Sequence, residues 1–307
     1  MILVTGATGF VGSRVCRQLA ARGLAHTPTS RSLGLDLRDA AATTAFFRAL
    51  KPTQVIHCAA HVGGIQWGAK RPVEIFQHNL QMTLSLCEAA QASGVQRIVN
   101  PISNCAYPAQ ATLFQEDAFW DGPLHESVLV YGFVRKASWV ASWAWRQQHG
   151  LDTLNLILSN MYGPGDHFEE ERSHALGALV MKVVRAHQQG LPEVVVWGSG
   201  TPVREWLHVD DGAEALIRGL DAPATAEPVN VGVAHGVSIL AMAELIRDVV
   251  GYRGRLVLDP SKPDGAPHKT VDGTRGAALL GWRPTRSFEA GVRETVAWYL
   301  QSLAQAS

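Results

Sequence analysis

A chain of 307 residues, 47% of them apolar, is long enough for one large domain or two and has ample material for a core. Its 27 basic and 27 acidic side chains cancel, so it lacks the basic excess that nucleic acid or an anionic membrane surface demands. No apolar run reaches the roughly 18 residues that span a bilayer, the first residues lack a secretory start, and the 4 cysteines form no CxxC pair. The expectation is a cytoplasmic protein with reduced thiols and no metal site.

Met1 to Thr5 is an apolar run that predicts a strand, and Gly6-Ala7-Thr8-Gly9-Phe10-Val11-Gly12 follows it directly. Phe10 to Arg22 then has helical spacing, with Val11, Val15 and Leu19 on one side. Glycine there permits a tight turn, lets backbone N–H groups approach a pyrophosphate and allows close helix–strand packing. Such a motif alone is weak evidence. Between a strand and a helix at the start of the chain it predicts a dinucleotide cradle. The second strand, near Ala25 to Ser30, ends without an acidic residue for a ribose 2′-hydroxyl and runs into Arg31. Arg14 lies just past the glycines, and two guanidiniums suit a 2′-phosphate, so NADP(H) is preferred, with NAD(H) left open.

Gln54 to Cys58 reads as another strand, Asn79 to Ser93 as a helix ended by Gly94, and Arg97 to Pro101 as a further strand. A long helix from about Tyr131 to Gln148 precedes a strand from Thr153 to Leu158. Strands alternating with helices predict an α/β fold: a Rossmann-like, doubly wound parallel sheet. After Asn160 the alternation weakens and Gly- and Pro-punctuated segments appear, which predicts a smaller second lobe closed by a helix from Glu289 to Leu300.

Several segments together resemble the GDP-L-fucose synthases, a family of extended short-chain dehydrogenase/reductases. They are Ile56-His57-Cys58-Ala59-Ala60-His61-Val62-Gly63-Gly64-Ile65, Ser103-Asn104-Cys105-Ala106-Tyr107-Pro108, Asn160-Met161-Tyr162-Gly163-Pro164 with Ser173-His174, the run from Val196 to Asp211, and Ser261-Lys262-Pro263-Asp264-Gly265. The likeness covers nearly the whole chain in order. It implies a Rossmann domain over residues 1–160, with roughly 206–234 returning to it, and a smaller C-terminal α/β substrate domain over 161–205 and 235–307. It also implies a nucleoside-diphosphate 4-keto-6-deoxy sugar as substrate, GDP-linked for preference, epimerised at C3 and C5 and reduced at C4. Asp36-Leu37 resembles the pair that contacts adenine; Ala59, Ala60, Asn160 and Tyr162 are further cofactor positions by the same likeness.

Hydride reduction of a ketone leaves an oxyanion that needs a proton. The resemblance gives that role to Tyr131, with Ser103 steadying the same oxygen. The family places a lysine four residues after the tyrosine, whereas here that position is Arg135. Lys136 is turned a further ~100° around the helix. Arginine keeps the charge but cannot relay a proton. Epimerisation beside a ketone needs a base and an acid, and Cys105 and His174 match the family's positions for them. Asn104 replaces a common serine. Val62, Gly63 and Gly64 fall at sugar-contact positions, Lys182, Arg204 and Lys262 at phosphate and nucleotide contacts, and Trp197 at the nucleotide pocket. Trp139 and Trp143 share a helix face that in the family joins a dimer interface, so a homodimer is expected. Other readings stay open: a 4-ketoreductase without epimerisation or an epimerase without net reduction, in deoxysugar or heptose biosynthesis, or a non-catalytic NAD(P)-binding sensor.

Overall fold

The computed structural model describes all residues except Glu170, Glu171, Pro263, Gly265, Ala266 and Ser307, and for Ile65, Gln66 and Ala306 the backbone alone. Pro263 and Gly265 of the Ser261–Gly265 match therefore lie outside the described residues. Six strands run parallel in one sheet, in the order Val229–Val231, Asp152–Leu158, Arg97–Ser103, Gln54–His57, Ile2–Thr5 and His26–Thr29. Period-2 alternation divides their side chains between two cores. Ile2, Val4, Ile56 and Val99 meet Val15 and Leu19 of the helix Phe10–Ala21 and Ala213 and Leu216 of Val209–Arg218. Leu3, Val55 and Ile98 meet Phe47, Leu86 and Ala90 on the other face. Both faces are covered, as a parallel sheet requires. Replacing Leu3, which is fully buried, by alanine costs about 2–5 kcal/mol.

The chain leaves Ile2–Thr5, pairs one side with His26–Thr29, then returns to pair the other side with Gln54–His57. That reversal opens a crevice at the C-terminal ends of the strands, where doubly wound sheets bind ligands. The later half builds a second sheet, with Val203–His208 at its centre, flanked by Gly236–Ser238 and His268–Val271; the last of these pairs onward with Leu113–Phe114. Glu193–Trp197 and Arg255–Asp259 pair separately. A second core around Phe168, Val180, Val183, Met242, Ile246 and Val292 supports them. Glu205, fully buried, accepts from the N–H groups of Val233 (2.7 Å) and Val271 (2.8 Å), tying that central strand to two neighbouring segments. Burial raises its pKa, against those hydrogen bonds.

Two elements depart from the sequence expectation. The helix read from Asn79 begins at Pro72, where a missing N–H costs nothing, and runs to Ala92. The helix Thr274–Leu280, in the range expected to belong to the smaller lobe, packs instead on Val229–Val231 and sends Leu280 and Trp282 into the core of the six-stranded sheet.

Candidate active site

Gly6 has φ +65°, and a Cβ there would lie 2.6 Å from the Ala59 nitrogen; one on Gly12 would lie 2.2 Å from the Gly6 oxygen. Only bare backbone fits in this corner. The helix Phe10–Ala21 starts from Gly9 with no side-chain cap among the described residues, which leaves its first N–H groups available to a ligand. A pyrophosphate suits that cradle in shape and charge.

Beside the cradle, the Thr8, Ser30 and Ser32 hydroxyls form a triangle 2.9–3.1 Å on a side, with exposed Arg31 between the two serines in sequence. Ser30 and Ser32 were missed by sequence reasoning; flanking Arg31 at a strand end was their only signal. Four expected cofactor residues have side chains that are engaged or buried within the protein. Arg14 is buried, donates to the Pro164 oxygen and faces Asp210 at 3.7 Å, so its guanidinium is spent within the protein. Tyr162 is 1% exposed, with its hydroxyl donating to Phe288 O and its ring among Trp206, His208 and Phe288. The Asp36 carboxylate is gripped by Arg38, whose hydrogen bonds pull its pKa down to about 2, and Leu37 is buried.

Cys58-Ala59 and Asn160 follow, and Ser103 ends, neighbouring strands of the parallel sheet, so they gather at one edge with the cradle. After Ser103 the chain makes a short turn over Asn104–Ala106, in which the Ser103 hydroxyl accepts from the Cys105 N–H at 3.2 Å. Tyr131 lies in the first turn of the helix Leu129–His149, and Gly132 lets the Cys105 turn approach: a Cβ there would lie 2.4 Å from the Cys105 oxygen. Arg135 is buried with its guanidinium 4.9 Å from the Tyr131 ring centre, and it donates to Asn79 Oδ1 at 3.3 Å. Asn79 also bonds both backbone groups of His61, locking the loop after Gln54–His57 onto the arginine. Lys136 is turned elsewhere. It donates to Phe119 O beneath Trp120, and burial lowers its pKa.

Gly64 donates to Arg172 O at 3.1 Å and leaves no room for a side chain against Ser173 O, which draws the Val62-Gly63-Gly64 loop toward His174. His174 keeps contact with solvent yet is surrounded deeply enough that burial lowers its pKa, with repulsion from His167 adding to it. Lys269, another residue missed in the sequence, sits beside Arg204 on the adjacent strand. Burial lowers its pKa while attraction to Cys105 opposes that. Trp197 is 49% exposed and flanked by Lys182 at 4.8 Å and Lys262 at 5.7 Å. Arg204 donates to the Asp264 carbonyl at 3.5 Å, and the Asp264 carboxylate accepts from Ser199. An exposed indole rimmed by ammonium groups can stack a base beside phosphates.

Residues 2–232 match the model of the NAD dependent epimerase/dehydratase family. The chain belongs to that family. It is 38% identical over 307 residues to probable GDP-L-fucose synthase 1 of Oryza sativa subsp. japonica, covering 99% of this chain and 93% of the relative. GDP-L-fucose synthase of Escherichia coli is 35% identical over 311 residues, covering 98% and 97%. Among solved structures, a GDP-L-fucose synthetase from Naegleria fowleri bound to NADP superposes with a TM-score of 0.90 at 29% identity, over 99% of this chain and 93% of that one. This family member is an enzyme that uses a nicotinamide cofactor.

Proposed function

We propose that the chain is an NADPH-dependent 3,5-epimerase and 4-ketoreductase of a GDP-linked 4-keto-6-deoxy-hexose. The approach of the Cys105 backbone to the Tyr131 helix over Gly132 supports this reading, because the residue that would epimerise then neighbours the helix turn whose tyrosine would complete the reduction. The cradle of Gly6, Gly9 and Gly12 would hold the cofactor pyrophosphate, and Thr8, Ser30, Arg31 and Ser32 its 2′-phosphate, which favours NADP(H) over NAD(H). Bound there, the cofactor supplies the hydride for C4.

Cys105 and His174 work on opposite faces of the sugar. One removes the proton beside the ketone and the other returns one, and the neutral imidazole of His174 is ready to accept. Lys269, which interacts electrostatically with Cys105, would together with Arg204 supply positive charge to the developing enolate oxygen. Tyr131 then donates its proton to the C4 oxygen, with Ser103 steadying that oxygen and Arg135 holding the phenolate left behind. Trp197, Lys182 and Lys262 would take the nucleotide. Residues 1–160 and 206–234 hold the cofactor; 161–205 and 235–307 hold the sugar nucleotide, apart from the Thr274–Trp282 segment. The free cysteines suit a reducing, cytoplasmic setting, and among the described residues no helix is long and apolar enough to cross a membrane.

The test is NADPH oxidation with GDP-4-keto-6-deoxy-mannose in deuterated water. Deuterium at C3 and C5 with NADPH consumed is the expected result. Oxidation without deuterium would leave a plain 4-ketoreductase, exchange without oxidation an epimerase, and silence in both a cofactor-binding protein without this chemistry.

A further inference from the structure

The helix Phe10–Ala21 offers its first turn to the cofactor cradle. At 1.5 Å per residue its far end lies about 20 Å away, and there a different groove opens, of about 390 Å³. Gln18 and Arg22 form one wall, Glu214 and Arg218 of the helix Val209–Arg218 another, and the Trp282–Arg286 segment the third. The volume falls within the range of small-molecule sites.

Its charges are unevenly committed. Asp211 accepts from Thr285 N, Thr285 Oγ1 and Arg286 N, and so serves as a staple. Glu214 is shared between Arg22 and Arg218. Asp210 is shared among Arg14 (3.7 Å), Arg17 (3.4 Å) and Arg286 (3.5 Å). Four arginines line the groove against these three carboxylates, and Arg283 is exposed and without a partner among the described residues. The indole N–H of Trp282, a buried residue of the same wall, has no hydrogen-bond partner among the described residues.

A cation does not fit here. His208, Asp210 and Glu294 have donor atoms within 4.8 Å of one another. However, His208 Nδ1 accepts the Asp210 N–H at 3.2 Å, which puts the ring proton on Nε2, and arginines crowd both carboxylates. Planar guanidinium forks instead match the oxygens of phosphate.

We propose that this groove is a second ligand site, separate from the catalytic crevice, that takes a small phosphate-bearing anion on Arg22, Arg283 and Arg286. Arg286 shares Asp210 with Arg14, and Arg14 donates to Pro164 at the start of the loop leading to His174. Drawing Arg286 onto a ligand changes the load on Arg14, so occupancy is coupled to turnover through that loop.

Inorganic phosphate is the probe, titrated calorimetrically into enzyme already saturated with NADPH and GDP so that the catalytic phosphate positions are filled. Saturable binding at one site is expected, weakened at least tenfold in Arg22→Ser/Arg283→Ser and in Arg283→Glu. Arg283 is exposed, so the second variant tests the site even if the first loses stability. A non-saturating signal, or unchanged affinity in both variants, overturns the proposal. Phosphate should also change kcat/KM of the wild type and not of the variants; binding without that change overturns the coupling. The binding arm needs no turnover, so it stands or falls apart from the assigned reaction.

Discussion

In the proposed mechanism, Arg135 is the residue on which the reductive half turns. Its guanidinium lies against the Tyr131 ring and donates to Asn79 Oδ1, while its Nε is buried without a partner among the described residues. A cation in that position offsets the negative charge that proton donation leaves on the tyrosine oxygen, so removing it should slow proton donation to the C4 oxygen and leave the proposed Cys105–His174 step alone. Arg135→Met is expected to lower NADPH oxidation by ~10²-fold with deuterium uptake at C3 and C5 retained. Loss of both together would mean the arginine acts on the fold instead. Arg135→Lys should retain the rate within about tenfold, because the charge survives. The converse pair, Cys105→Ser and His174→Asn, should abolish deuterium uptake while cofactor binding, read by NADPH fluorescence, is unchanged.

Elements explain which of these residues were legible in the sequence. Gly6, Gly9 and Gly12 were readable because the constraint is local: a strand, a tight turn and a helix in consecutive residues. The turn of Lys136 away from Tyr131 follows from helical rotation in the same way. Arg14 and Tyr162 were not readable, because their partners Pro164 and Phe288 are remote in sequence and a buried guanidinium looks like an exposed one in a string of letters. Lys269 and Asn79 belong to the same class, since strand pairing and helix packing bring them in. Gly12→Ala tests the local constraint. The added Cβ meets backbone, which cannot yield as a side chain tip does, so NADPH affinity should fall by more than tenfold with the rest of the fold intact by circular dichroism.

The loop from Gly163 to His174 carries a pH dependence of its own. Asp166 is buried, accepts the His167 N–H at 2.7 Å, and is pushed up to about 7 by burial, with Glu169 adding to it. A carboxyl raised in the folded state holds its proton while the unfolded chain, near 4, has already released it. Stability is therefore greatest below pH 4 as far as this group is concerned, falls by on the order of 1.4 kcal/mol per pH unit up to about 7, and is flat above. Asp166→Asn keeps an acceptor oxygen but does not titrate. Its melting temperature relative to wild type should rise steadily between pH 4 and 7; parallel curves would show that Asp166 does not titrate there.

At the scale of the molecule, one surface remains to be covered. The helices Pro72–Ala92 and Leu129–His149 lie side by side, and Phe76 stacks on Phe133 with ring centres 6.1 Å apart. Val73, Leu84, Val140 and Trp143 extend the same exposed apolar stripe on the outward faces of both helices. Trp139, expected to share that face with Trp143, is half-buried instead and donates to Ala226 O. We predict that a second copy, presenting the same two helices about a twofold axis, covers this stripe, since its own stripe matches in length and composition. In solution the protein should then behave as twice its 33.2 kDa chain mass by light scattering. Leu84→Asp/Trp143→Asp should halve that mass, because two carboxylates buried in an apolar seam cost several kcal/mol without a partner. Both residues are exposed in the single chain, so NADPH affinity should be unchanged, since every cradle residue comes from one copy. A wild-type protein that elutes as a monomer would refute the pairing, and a dimer indifferent to both aspartates would place the interface elsewhere.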